Sequence, residues 1–165
     1  MRDVDYNKLL ADAEDKGSFR VLQAYVRAVA FGLTDEEAVY VDTMSILLPD
    51  MHYNSVTNYA HFLWKAGFLE RDDERNGFQW YYITPDGIRE AVRRGFIPGS
   101  MSRELWPNDD REVYMDAVDE ASGGAEATRE EWAAWVEGQA AEVGHEVIDR
   151  VAGKHEKLMA SKHGS

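Results

Sequence analysis

The stretch that most restricts the fold of this chain is residues 54–84, NSVTNYAHFLWKAGFLERDDERNGFQWYYIT. Its first half has the spacing of a helix: Val56, Tyr59, Ala60, Leu63 and Trp64 fall on one face at steps of three and four. Ser55 stands where a cap is needed, and Gly67 where a helix is commonly closed by a left-handed residue. Two strand-like runs, 68–72 and 78–84, then flank Asn76-Gly77, a pair whose tolerance of positive φ marks a hairpin. Trp80 and Tyr82 are placed on one side of the second run and Tyr81 on the other, which favours packing over a stacking platform. A helix followed by a hairpin with a charged tip leaves little choice of local architecture.

The flanking segments read as further helices. Ser18 is expected to cap a helix over 19–31, with Phe19, Leu22, Val26 and Val29 inward and Gly32 at its end. Thr34-Asp35-Glu36-Glu37 has the form of a capping box and predicts a second helix over 35–47 that buries Ala38, Val41, Met44 and Leu48 and stops at Pro49. Pro85-Asp86-Gly87 opens a fourth helix, 88–94, which carries the basic cluster Arg89, Arg93 and Arg94. Residues 96–108 read as a linker that folds apolar side chains back. Asn108 or Asp109 would cap a helix over 110–121 whose apolar residues are Val113, Met115, Ala117 and Val118. Thr128-Arg129-Glu130-Glu131 is a second capping box and predicts one long helix reaching about residue 159. Trp132, Val136, Ala140, Val143, Val147 and Val151 form a coiled-coil-like seam along it. Residues 1–16 read as a tail or a short amphipathic helix, and 161–165 as a frayed end.

A helix ending in Gly-Phe-Leu-Glu, a hairpin, and the link Tyr82-Ile83-Thr84-Pro85-Asp86-Gly87 together resemble winged helix-turn-helix proteins of the MarR and PadR kind. The resemblance implies a mainly α fold with a small β-hairpin wing. It divides the chain into a winged helix-turn-helix domain over 17–95, the linker 96–108 and C-terminal helices over 109–160 that serve dimerisation through the seam residues. It further implies that the helix over 55–66 enters the major groove of double-stranded DNA, with the wing, 68–84, alongside. The outward residues are then Asn54, Ser55, Thr57, Asn58, His61 and Lys65, joined by Arg71 and Arg75 of the wing. Asn58 has the amide needed for a bidentate contact with an adenine edge. Asn58 and Phe62 depart from the resemblance, since MarR-like helices commonly carry Arg there. The implied activity is that of a dimeric, sequence-specific transcriptional regulator, a repressor acting by steric block.

Net charge is −13, from 18 basic and 31 acidic residues, and sits uneasily with a polyanionic partner. The acid is unevenly spread: residues 51–100 balance 6 basic against 6 acidic groups, whereas both flanks are acidic. Such a surplus suits concentrated salt, where the Debye length falls to about 3 Å at 1 M, and points to a halophilic source. The charge also supports a rival, in which the fold is a protein–protein interaction module or an acidic DNA mimic. With no cysteine, no apolar run of spanning length and an acidic start, the expected setting is the cytoplasm, without membrane contact. Phosphate-binding loops, nucleophile elbows and zinc-protease motifs are missing from the sequence, so neither an enzyme nor a cofactor is expected. His145 with Glu142, Glu146 and Asp149 reads as a solvated acidic helix face, not a metal site.

Overall fold

A computed structural model describes residues 17–73, 79–108 and 111–163, the side chains of the last two excepted. The fold is mainly helical with one small antiparallel sheet. In chain order it runs α1 (Ser18–Ala30), β1 (Val39–Tyr40), α2 (Val41–Ile46), α3 (Tyr53–Lys65), β2 (Leu69–Arg71), β3 (Trp80–Ile83) and α4 (Pro85–Arg93). A 3-10 helix (Gly99–Leu105) follows, then α5 (Glu112–Ser122), α6 (Arg129–Val143) and α7 (His145–His163). Among the described residues no helix is long and apolar enough to cross a membrane.

The core forms where the inner faces of α1, α2 and α3 meet the sheet and the later helices. Val21, Leu22, Val26, Met44, Val56, Ala60, Leu63, Leu69 and Ile83 are all but removed from solvent. The sheet order is β1-β3-β2, with Leu69 opposite Ile83 and Tyr40 opposite Trp80. Two buried tyrosines fix the end of β3. The Ile83 N–H donates to the Tyr25 hydroxyl at 3.0 Å, and the Tyr114 hydroxyl donates to the Ile83 carbonyl at 3.0 Å. Burial holds the Tyr25 phenol well above its ordinary pKa, so it remains a neutral hydrogen-bonding group. Thr84 caps α4 by accepting from the Gly87 N–H at 3.0 Å, and a side chain at Gly87 would collide with the Phe68 carbonyl.

Several expectations are corrected. The segment 34–37 does not open a helix. Glu36 and Glu37 take positive φ (50° and 70°) in a tight turn closed by Asp35 and Ala38, which exchange both backbone hydrogen bonds. That turn delivers Val39 and Tyr40 to the sheet, where a third strand completes β3, and the helix begins only at Val41. Gly17, in the left-handed conformation, precedes α1, and Ser18 lies inside the first turn, fully buried. His52, not Ser55, caps α3, its ring nitrogen accepting from the Asn54 N–H at 3.1 Å. Arg111 takes the cap position of α5, and the buried residues there are Tyr114, Ala117 and Val118. Val113 and Met115 are 47% and 44% exposed.

The capping box at Thr128 and Glu131 is present as read, with both hydrogen bonds at 3.1 Å. The helix it opens is not continuous to residue 159. Gly144, at φ 96° and ψ 136°, breaks it in a conformation that only glycine adopts without strain. The stretch read as a linker contributes Ile97, Met101 and Leu105 to the core, and α5 adds Tyr114 and Val118.

Candidate nucleic-acid interface

Residues 51–69 contain no Asp or Glu, in a chain that has 31. This run builds α3, whose inner side carries the buried Val56, Ala60 and Leu63. The remaining positions must therefore face outward at steps of four, three and four. Asn54, Asn58, His61 and Lys65 are all exposed, and together they span about 16 Å of helix axis. Thr57 and Ser55 lie half-buried beside this row, and the Thr57 hydroxyl donates to the Asn54 carbonyl at 2.9 Å. Of the expected site residues, only Arg75 lies outside the described residues, as does the Asn76-Gly77 pair read as a hairpin signal.

Trp64 extends the row toward the hairpin. It is half-buried and packs against the core, as the sequence pattern expects. Its ring is also a platform: the Arg71 guanidinium lies 3.7 Å from its centroid, the Lys65 ammonium 4.1 Å, and the His61 ring meets it edge-on at 5.2 Å. Arg71 also contacts the exposed Asp73 at 2.9 Å, which offsets part of its charge. Partial burial, aided by Lys65 and Arg71, holds the His61 imidazole below its ordinary pKa, so the free protein presents it neutral. The result is a helix edge rich in uncharged hydrogen-bonding groups, ending in two cations on an indole.

At the other end of the row, Tyr53 is 40% exposed, and its hydroxyl donates to Asp42 at 2.8 Å. Burial first, and then this carboxylate, push the phenol up to about 12, so it stays a donor at any physiological pH. Tyr53 escapes a search for polar outward residues because its ring counts as apolar, although its position just before Asn54 is visible.

The basic cluster on α4 differs in kind. Arg89 pairs with Glu120 at 2.5 Å and Asp86 at 3.0 Å, and Arg93 pairs with Glu90. Arg94 reaches the same Glu90 at 3.3 Å and lies over the Phe19 ring at 3.6 Å. These guanidinium groups bind the chain to itself. Four of the six seam residues are likewise engaged: Val151 is fully buried, and Trp132, Val143 and Val147 pack half-buried against the core. Arg27 of α1 ties α6 down through Gln139 and Glu142, both at 2.9 Å. Among the described residues no group of three or more His, Asp or Glu side chains is placed to hold a metal ion. No protein-family model matches the chain, and comparison with curated proteins and with solved structures found no match.

Proposed function

We propose that the protein is a sequence-specific DNA-binding regulator with a winged helix-turn-helix domain. In this reading α3 is the recognition helix and the β2–β3 hairpin the wing. The observation that carries it is the open, acid-free row Asn54, Asn58, His61 and Lys65 on a helix anchored by its opposite face. An α-helix fits the major groove, about 12 Å wide, and amide side chains pair with adenine edges. The sheet supports the same reading, since β2 leaves the helix after only a short turn and brings Arg71 onto the Trp64 ring that Lys65 also contacts.

The assembly we infer is a homodimer that places two such helices in successive major grooves, about 34 Å apart, and represses by occluding the site. Its support is α6, which buries none of its residues fully and whose Val136 and Ala140 stay half-buried outside the core packing that engages Trp132 and Trp135. A helix of this length is marginal alone and needs a surface to cover.

Fluorescence anisotropy on duplexes selected from a randomised pool tests the function. The full chain is expected to prefer selected over random duplexes, and the double variant Asn58→Ala, His61→Ala to lose that preference. A wild-type chain that binds no duplex from low to molar salt would instead favour a protein partner, in line with the net charge of −13.

A further inference from the structure

The acidity of the chain is interrupted a second time, near its end. Residues 150–163 hold Arg150, Lys154, Lys157 and Lys162 against a single acid, Glu156. On α7 the residues Arg150, Lys154 and Lys157 follow one another at steps of four and three and so share a stripe. Like charges at this spacing weaken a helix by a few tenths of a kcal/mol per pair, so the stripe does not serve the helix itself. Glu146 stands one turn before Arg150 and offsets that end. Lys154 and Lys157 make no ion pair with the described residues.

The packing of α7 against α2 sets this stripe beside the start of the α3 row. Lys154, His155, Lys157 and Leu158 form one wall of a groove of about 420 Å³, and Tyr40, Asp42, Thr43 and Ile46 form the other. Asp42 is the one acid in the lining, and it is engaged by the hydroxyl of Tyr53, the residue that precedes Asn54. The groove therefore adjoins the N-terminal end of the row, opposite the end held by Lys65 and Arg71.

We propose that Lys154 and Lys157 bind backbone phosphates of the same duplex that α3 reads, so that α7 clamps the flank of the site. This inference rests on the DNA-binding reading above. It answers the shortage of cations on α3 itself: base contacts come from an uncharged row, and phosphate contacts come from cations at its two ends. Contacts of this kind position a protein without reading sequence, so they act equally on every duplex.

The test is the salt dependence of binding by the full chain, measured on a selected and on a random-sequence duplex. Each phosphate contact adds about 0.9 to the slope of log K against log salt. The variant Lys154→Gln, Lys157→Gln is expected to lower the slope by about 1.8 on both duplexes, losing roughly tenfold or more in affinity at low salt with its preference between them intact. The pair Lys154→Arg, Lys157→Arg, equally charged, is expected to keep the wild-type slope, which separates lost charge from disturbed packing. A wild-type chain that binds with a slope unchanged by the Gln pair overturns the clamp and leaves the reading of α3 standing. A wild-type chain that binds no duplex overturns both.

Discussion

At the residue scale, the proposed chemistry depends on side chains whose partners are set by the fold. His61 is neutral in the free protein because burial and its cationic neighbours lower its pKa. A phosphate brought beside it would act in the opposite sense, so duplex binding takes up a proton. Affinity is expected to rise as pH falls from about 8 to about 6, by up to tenfold per unit of pKa difference, and the rise to vanish in His61→Gln. Equilibrium binding at several pH values checks this. For folding the sign is reversed: a depressed histidine pKa means that stability present above the ordinary value, about 6.5, is lost as pH falls below it. Tyr114 tests the scaffold separately. Tyr114→Phe leaves the Ile83 carbonyl without its donor, and chemical denaturation is expected to show a loss of about 1–3 kcal/mol. The outward row was readable from spacing alone, because a helix with five apolar positions on one side leaves few choices for the other. The second role of Trp64 was not readable. An aromatic at an inward step looks the same in sequence whether it only packs on the core or also holds Arg71 and Lys65 against its ring.

At the element scale, the helices and hairpin strands were legible where pattern and local chemistry agreed. They agree for α3, closed by Gly67 at φ 90°, for β2 and β3, and for the capping box of α6. They diverge at residues 34–37, where Thr-Asp-Glu-Glu satisfies the capping pattern but Val39 and Tyr40 gain more by pairing with β3 and stacking on it. The Tyr40 and Trp80 rings lie 4.9 Å apart and nearly parallel. Pairing with a distant strand is a tertiary effect that no local window contains. The same holds at Gly144, where a seam of regular period runs across a helix break. Val147 and Val151 reach the core only because α7 is redirected there. Gly87 gives the prediction for this scale. A methyl group there must displace the Phe68 carbonyl where α4 meets the chain entering β2, and nothing flexible can yield. Gly87→Ala is expected to lower the thermal midpoint by several degrees, equivalent to about 1–3 kcal/mol, as calorimetry would show.

At the scale of the whole molecule, charge is sorted more than it is balanced. The chain carries −13, its α4 arginines are engaged in internal pairs, and Lys65 and Lys154 with Lys157 stand near the two ends of the α3 row. Self-repulsion of this size favours expansion, and salt screens it. The urea midpoint is therefore expected to rise between about 0.1 M and about 1 M potassium chloride; a flat or falling midpoint would contradict the account. Net charge was plain in the sequence, but its distribution in space was not. Arg89, Arg93 and Arg94 look like the obvious basic patch until Glu90 and Glu120 are seen against them.

The most direct test of the central claim is a backbone and side-chain NMR titration of the full chain with a selected duplex. The largest shifts are expected on the side-chain amides of Asn54 and Asn58, the rings of His61 and Trp64, and the Lys65 and Arg71 signals. Shifts confined to other surfaces, with the α3 row unmoved at saturation, would contradict it.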